Sequence, residues 1–305
     1  MNLDCRVAMA PAVDDGLNWA RDRHSWPLSE FSFFRECAGV HWHLQQLGSG
    51  PCVLLIHGTG ASTHSWRALA PLLAERFTVL AFDLPGHAFT LGTPSGGLTL
   101  EAISDALATL LDTLAIRPRL IIGHSAGVAI AARMALAGRV RPRAIVSLNG
   151  ALLPFNPAPG LLLAPLARLL AATPFVPLLF TWSARRRATV ERLVRSTGST
   201  LDAEGVDLYW RLVRSRRHVA GVLEMMAHWN LAPLARSLPQ LAPSLLQLVG
   251  LGDRTVPPAH AERVRALLPA AHTVRLPGLG HLAHEERADL VMQAIDNYRA
   301  LFDGA

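Results

Sequence analysis

The stretch Leu120-Ile121-Ile122-Gly123-His124-Ser125-Ala126-Gly127-Val128-Ala129 decides the fold of this 305-residue chain. Its apolar start is typical of a buried strand and its alanine-rich end of a helix, so Ser125 lies at the turn between them. Such a turn strains its central residue and brings strand and helix close together, which favours glycine at Gly123 and Gly127. The pattern predicts an exposed serine hydroxyl. Gly-x-Ser-x-Gly alone is a weak signal, and an ordinary glycine–serine turn is the alternative.

Short apolar strands alternate with helical segments on both sides of this turn. The strands are predicted at 53–56, 78–82, 120–122, 144–148, 244–249 and 272–276. A hairpin is predicted over 31–36 and 40–47, and helices over 62–74 and 285–302. This alternation predicts a mostly parallel central sheet covered by helices on both faces. In such a sheet the ligand crevice lies beyond the carboxyl ends of the strands.

One segment, residues 152–237, interrupts the alternation with helical periodicity and many Leu, Pro, Ala and Arg residues. We therefore predict a core of residues 1–151 and 238–305 with an inserted helical cap of residues 152–237. The cap holds eleven arginines and five acidic residues, so the net charge of +6 lies entirely within it. Three prolines divide its apolar residues 161–182 into pieces too short to span a bilayer.

Composition argues against several classes of function. The chain has no lysine, and its three cysteines lack the spacing of metal ligands, so we expect neither a phosphate-binding P-loop nor a metal or other cofactor. A neutral core with a basic insert is not typical of nucleic-acid binding. The first residues lack the pattern of a signal peptide, which together with the odd cysteine count predicts a cytoplasmic protein.

Three residues follow predicted strand ends in the order serine, acid, histidine. Ser125 is the candidate nucleophile, Asp253 follows the strand at 244–249, and His281 follows the last strand. In this order His281 is expected to act as general base, and Asp253 to orient and stabilise its imidazole. A serine rather than an aspartate at the turn argues against dehalogenase and epoxide-hydrolase chemistry and for acyl transfer to water. Asn149 also ends a strand, but an amide cannot stabilise an imidazolium as a carboxylate does.

Two backbone N–H groups are needed to stabilise an oxyanion. We assign one to Ala126, which follows the nucleophile, and the other to Thr59 in the loop after the strand at 53–56, with Gly60 as the alternative. Further side chains at strand ends and in the cap are predicted to contact substrate. They are His57, Gly58, His124 and Asn149 at the crevice, and Arg211 and Arg214 in the cap, whose guanidinium groups suit carboxylates.

With these motifs the chain resembles the α/β-hydrolase superfamily over nearly its whole length. More narrowly, it is similar to the magnesium-chelatase accessory proteins of bacteriochlorophyll biosynthesis, known as BchO. The stretches that carry the resemblance are 57–67, 83–87, 123–127, 147–155 and 277–287. The resemblance implies the α/β-hydrolase fold and a place in the synthesis of photosynthetic pigment, in association with magnesium chelatase, but it names no reaction. Ala88 departs from the pattern, because relatives usually have glycine there.

Three functions remain open at this stage. The first is a serine esterase that acts through an acyl-enzyme on a small ester, such as a tetrapyrrole ester. The second is a non-catalytic pigment-binding protein or chelatase partner, and the third is a carbon–carbon bond hydrolase with the same triad.

The cap has two interpretations. Its leucines either pack onto the core under solvated arginines, or form with Arg185–Arg187, Arg192 and Arg195 a surface for peripheral contact with the inner or photosynthetic membrane. The apolar pieces of that surface are 161–163, 169–170 and 175–182.

Overall fold

The computed structural model describes residues 17–154 and 186–303, and within them nine strands form one sheet. The strands are β1 Ser32–Cys37, β2 Val40–Leu47, β3 Cys52–Ile56, β4 Thr78–Phe82, β5 Leu91–Gly92, β6 Leu120–His124, β7 Ala144–Leu148, β8 Ser244–Gly250 and β9 His272–Leu276. Their order is β1-β2-β4-β3-β6-β7-β8-β9, with β5 paired to β2. The neighbouring strands β4, β3, β6, β7, β8 and β9 are parallel. Strand β2 pairs antiparallel with β1, β4 and β5. The predicted mostly parallel sheet is confirmed.

Helices cover both faces of the sheet. They are α1 Trp19–Asp22, α2 Leu69–Ala74, α3 Leu100–Thr113, α4 Ala126–Leu136, α5 Arg187–Ser196, α6 Ala203–Arg214, α7 Arg216–His228, α8 Ala232–Ser237, α9 Ala259–Leu267, α10 Ala283–Glu286, α11 Ala288–Asn297 and α12 Ala300–Asp303. Two predicted helices were wrong in extent. The first is a 3₁₀ turn, Thr63–Trp66, followed by α2. The last is split into α10, α11 and α12, because the helical conformation is lost at Arg287 (φ −148°, ψ 72°) and again at Tyr298 (φ −111°, ψ 20°).

The central strands are apolar throughout because the sheet is buried on both faces. In β3, Leu54 and Ile56 pack into the hydrophobic core beneath α3 and α4, while Val53 and Leu55 pack into a second core beneath α2 and α11. Alternate side chains of a strand point to opposite faces, so each face receives its own apolar set. The loops at the carboxyl ends of β3, β4, β6, β7, β8 and β9 therefore meet on a rigid base at one edge.

The described part of the cap is helical, with α5, α6, α7 and α8 between residues 186 and 237. Residues 155–185, which include Arg185 and the apolar pieces at 161–163, 169–170 and 175–182, lie outside the described residues. The exact boundary between core and cap stays a prediction. Helix α7 and the turn between α5 and α6 both contact loops at the carboxyl edge of the sheet.

Candidate active site

Ser125 lies at a strained turn between β6 and α4. Its φ of 51° and ψ of −115° place it in the left-handed half of conformational space, which costs a non-glycine residue about 1–3 kcal/mol. A Cβ on Gly123 would lie 2.7 Å from the Val128 nitrogen, and one on Gly127 would lie 2.1 Å from the Ile56 oxygen. Glycine is therefore required on both sides of the serine, as the sequence predicted.

His281 and Asp253 form a buried pair beyond the ends of β9 and β8. The His281 Nδ1 atom lies 2.8 Å from Asp253 Oδ2. The other carboxylate oxygen, Oδ1, accepts hydrogen bonds from the backbone nitrogens of Thr255 and Val256 at 2.7 and 2.9 Å. Because a carboxylate oxygen accepts, Nδ1 of His281 is the donor in this pair, which leaves Nε2 as the ring nitrogen available to act as a base.

Side chains from two neighbouring strand ends hold the His281 loop against the Ser125 turn. His124, next to Ser125, donates from Nε2 to the His281 carbonyl at 3.0 Å, and Asn149 Nδ2 donates to the same oxygen at 2.8 Å. Asn149 also donates to Gly280 O and accepts from Gly250 N. The predicted substrate contacts of His124 and Asn149 are corrected here, since both side chains are buried and bonded to backbone.

A row of tilted rings packs beside the same loop. The His281 and His124 ring centroids are 4.7 Å apart, those of His124 and His284 are 4.5 Å apart, and His284 lies 4.8 Å from Trp66. Burial holds the pKa of His124 well below its usual value and lowers that of His284 to about 3. His124 and His284 are therefore neutral near pH 7, and they fill the space beside His281 without adding charge.

The loop after β3 lies against the serine. A Cβ on Gly58 would lie 3.0 Å from the Ser125 Cβ, so Gly58 is adjacent to the nucleophile, and its contact with substrate stays a prediction. His57 is fully buried; its Nδ1 donates to Gly58 O at 2.8 Å, and its Nε2 accepts from Leu84 N at 2.9 Å. Burial lowers the pKa of His57. Its predicted contact with substrate is corrected, because both ring nitrogens bind backbone.

Gly60 and Thr59 differ in how their backbone groups are used. The Gly60 N–H donates to His87 Nε2 at 3.2 Å, so it is already occupied. The Gly58 carbonyl accepts from His57 Nδ1 and from Ala61 N. In a planar trans peptide the next N–H, that of Thr59, points to the opposite side.

The cap reaches this loop through α7, a contact that the sequence analysis missed. His218 Nδ1 accepts from Ala88 N at 3.1 Å, and its Nε2 donates to Gly60 O at 3.3 Å. Gly221 packs so closely on Gly86 that a Cβ would lie 2.2 Å from the Gly86 oxygen. Burial lowers the pKa of His218 to about 4. The only available signal was a histidine and a glycine at positions 218 and 221 of an otherwise amphipathic helix.

The backbone at Ala88 has a φ of 40°, a conformation that favours glycine. The backbone N–H of Ala88 donates to His218 Nδ1. The alanine that replaces the expected glycine therefore lies where the cap meets the core.

Arg211 and Arg214 lie elsewhere, which corrects their predicted role in binding substrate at the crevice. Arg211 bonds to Asp22 at 3.2 Å and to Ser25 O at 3.1 Å, and its guanidinium lies over the Trp26 ring. Arg214 lies over the Trp210 ring at 4.4 Å. Both line a surface cleft of about 530 Å³ between α1 and α6, whose walls include none of Ser125, Asp253 and His281.

Residues 17–154 and 186–303 contain neither a metal-binding cluster nor a membrane-spanning helix. No group of three or more His, Cys, Asp or Glu side chains in these ranges has an arrangement that would hold a metal ion. No helix in the same ranges has both the length and the hydropathy to cross a membrane.

Comparisons with known proteins agree with the fold. Residues 53–294 match the model of the alpha/beta hydrolase family. The chain is 39% identical over 267 residues to the magnesium-chelatase 30 kDa subunit of Rhodobacter capsulatus, covering 87% of this chain and 93% of that protein. It is 38% identical over 121 residues to bifunctional epoxide hydrolase 2 of Sus scrofa, which is 39% of this chain and 22% of that protein.

Solved structures show the same fold. A thermophilic esterase from Thermogutta terrifontis superposes with a TM-score of 0.71 at 23% identity, covering 88% of this chain and 99% of the esterase. An alpha/beta hydrolase fold protein from Burkholderia ambifaria superposes with a TM-score of 0.73 at 20% identity, covering 88% of this chain and 97% of that one. Because the family model matches residues 53–294 and the sheet has the expected parallel order, this chain belongs to the α/β-hydrolase family, with a magnesium-chelatase subunit among its relatives.

Proposed function

We propose that this protein is a serine hydrolase that cleaves a carboxylic ester through an acyl-enzyme on Ser125. One observation carries the proposal: the loop of the Asp253-paired His281 is hydrogen-bonded to His124, the residue beside Ser125. A strained serine, a histidine with one ring nitrogen free to act as base and a buried carboxylate are the parts that acyl transfer needs. A non-catalytic carrier needs none of them in this arrangement.

The reaction would proceed in two half-reactions. The Ser125 hydroxyl attacks the ester carbonyl while His281 Nε2 takes its proton, and the imidazolium then gives that proton to the departing alcohol. Water next attacks the acyl-enzyme, with His281 again acting as base, and releases the carboxylic acid and free Ser125. Asp253 keeps the proton on Nδ1 throughout and stabilises the imidazolium.

We assign the oxyanion hole to the backbone N–H groups of Ala126 and Thr59. Ala126 begins α4, where N–H groups have no partner within the helix and negative charge is favoured. Thr59 is preferred to Gly60 because the Gly60 N–H donates to His87, whereas the Thr59 N–H points away from the His57 side of the loop. Losing one such donor costs about 10²–10³-fold in rate.

Ester hydrolysis tests this proposal. Purified protein is assayed with 4-nitrophenyl esters of increasing acyl length and with porphyrin methyl esters, in parallel with Ser125→Ala. We expect the wild-type protein to hydrolyse at least one ester class and the variant to lose that activity. A folded wild-type protein inactive on every ester, or a Ser125→Ala variant with wild-type rates, would contradict the proposal.

We further propose that the ester belongs to a tetrapyrrole and that the protein associates with magnesium chelatase. The support is the 39% identity to a protein named as a magnesium-chelatase subunit. Co-purification with chelatase subunits, using the Ser125→Ala variant as well as the wild type, separates the two roles. A partner role predicts association of both proteins, whereas failure of both to associate would leave only the hydrolase.

Peripheral contact with an anionic membrane is the remaining proposal for the cap. On α5, Leu193 is 46% exposed between the exposed arginines Arg192 and Arg195. Exposed apolar and basic residues close together on one helix suit an anionic bilayer surface. We expect Arg192→Gln/Arg195→Gln to sediment less with anionic liposomes than a variant with the same charge change, Arg141→Gln/Arg263→Gln. Equal sedimentation of the two variants would rule this surface out.

A further inference from the structure

The turn that joins α5 to α6, residues 197–200, contacts the two loops that carry Asp253 and His281. We call it the 197–200 turn. It belongs to the cap, yet its backbone lies against the residues that immediately precede the acid and the histidine. No local pattern predicts this contact, since Thr197-Gly198-Ser199-Thr200 is typical of an ordinary connection between helices.

Three glycines form the centre of the contact. Gly252 precedes Asp253, Gly280 precedes His281, and Gly198 of the turn packs on both. Gly198 has a φ of +87°, a conformation that favours glycine. A Cβ on this residue would also lie only 1.9 Å from the Gly252 oxygen. A Cβ on Gly280 would in turn lie 2.3 Å from the Gly198 backbone. Three chain segments thus meet where any side chain would separate them.

Hydrogen bonds join the 197–200 turn to the same two loops. The Thr197 carbonyl accepts from Arg254 N at 3.0 Å, one residue after the acid. Ser199 Oγ accepts from Leu282 N at 2.8 Å, one residue after the histidine, and Ser199 is buried.

The Glu286 carboxylate completes the junction. One oxygen accepts from Thr200 N and the other from Gly280 N, both at 2.8 Å. The residues that flank His281 on both sides are therefore bonded either to the turn itself or to a carboxylate that the turn shares.

We propose that Gly198 and Ser199 are positioning residues that hold His281 and Asp253 in reacting geometry. The cap on this side is then part of the catalytic framework and not a lid that opens freely. The inference rests on the proposed function for its effect on rate, but not for its effect on the His281–Asp253 hydrogen bond. A displacement of about 1 Å in a reacting group is enough to cost about 10²-fold in rate.

Ser199→Ala tests the proposal with little change in shape, and Ser196→Ala is its matched control. Ser196 is an exposed serine at the end of α5 whose hydroxyl bonds only within that helix, to Leu193 O. With a fluorophosphonate probe, we expect Ser199→Ala to lower the maximal inactivation rate about tenfold. The probe concentration for half-maximal rate should stay unchanged, because the binding surface is intact. Ser196→Ala should match the wild type in both.

A second readout does not depend on activity. The Nδ1 proton of His281, bonded to Asp253, gives a proton resonance far downfield of the amides, identified by its loss in His281→Gln. We expect this signal to broaden or disappear in Ser199→Ala, because a loosened loop exposes the proton to exchange with water. It should persist in Ser196→Ala.

Gly198→Ala is the stronger variant and has its own control in Gly138→Ala. Gly138 has a similar φ of +68°, but nothing lies within 4 Å of an added Cβ. Both variants place alanine at a positive φ, so their difference reports mainly the close contact of residue 198 with the Asp253 and His281 loops. We expect Gly198→Ala to lose at least as much rate as Ser199→Ala.

The outcomes separate this inference from the proposed function. Unchanged inactivation rate and unchanged His281 signal in Ser199→Ala would overturn the positioning role. A wild-type protein that the probe does not label would refute the hydrolase, and the His281 signal alone would then decide whether the turn positions that ring.

Discussion

The cap contacts the crevice on two sides, and the two contacts differ in chemistry. On the base side, the 197–200 turn holds the Asp253 and His281 loops through backbone packing, a serine hydroxyl and a carboxylate. On the oxyanion side, α7 holds the loop after β3 through the ring of His218. The cap contact on the base side therefore depends on close packing, whereas the cap contact on the oxyanion side depends on an imidazole that stays neutral. The two sides should fail under different perturbations.

The largest expected effect is on the base side. Asp253→Asn removes the carboxylate that keeps the proton on His281 Nδ1, and its amide can instead donate to that nitrogen and favour the wrong tautomer. We expect ester hydrolysis to fall about 10⁴-fold, with the fold intact by circular dichroism. A loss under tenfold would mean that Asp253 is not the acid of the site.

A smaller effect is expected on the oxyanion side. His218→Phe keeps a ring in place but leaves Gly60 O and Ala88 N without their partner. We expect a rate loss of about tenfold, below the roughly 10²–10³-fold cost of losing an oxyanion donor outright. His228→Ala, an exposed histidine on the same helix, serves as control and should leave the rate unchanged. Equal effects of the two substitutions would deny α7 a role at the oxyanion loop.

Acid should weaken the oxyanion side first. Burial lowers the pKa of His218 to about 4 and that of His87 well below its usual value, and Asp83 only partly offsets this. Since the folded pKa lies below the unfolded value of about 6.5, the unfolded chain binds more protons in between. Stability is then complete above about pH 6.5 and falls as the pH drops toward 4.

Thermal unfolding between pH 7 and pH 5 checks that sign. We expect Tm to fall by several degrees in the wild type and by less in His218→Phe, which lacks one of the titrating groups. A Tm that rises on acidification would contradict the neutral state of these rings.

The smallest effect is expected in the surface cleft. Arg214→Gln removes a cation from the Trp210 ring, far from the loops of the site, so kcat and KM for esters should change less than twofold. Stability should change by about 0.5 kcal/mol or less. A large rise in KM for a carboxylate-bearing ester would restore the original prediction that this arginine binds substrate.

Local sequence rules predicted the sheet and the Ser125 turn because their causes are local. Apolar strands of four or five residues and glycines at 123 and 127 are required wherever such a turn forms. The chain order of Ser125, Asp253 and His281 likewise follows from where strands end.

The supporting contacts could not be predicted, because they join residues distant in sequence. The sequence places His124 and Asn149 at strand ends that border the crevice. Only the folded structure shows that both side chains bond to His281 O. Gly198 lies more than 50 residues before Gly252, and nothing local marks it. The position of Arg211 could not be predicted for the same reason, since its partners are the N-terminal residues Asp22 and Ser25. Arg214 lies over Trp210 of its own helix.

The most direct test of the central claim is the mass of the protein after reaction with a fluorophosphonate. We expect one phosphonyl group per chain, located by peptide mapping on Ser125, and no addition to Ser125→Ala. Folded wild-type protein that gains no mass, or gains it at a residue other than Ser125, would contradict the claim that this turn presents a catalytic nucleophile.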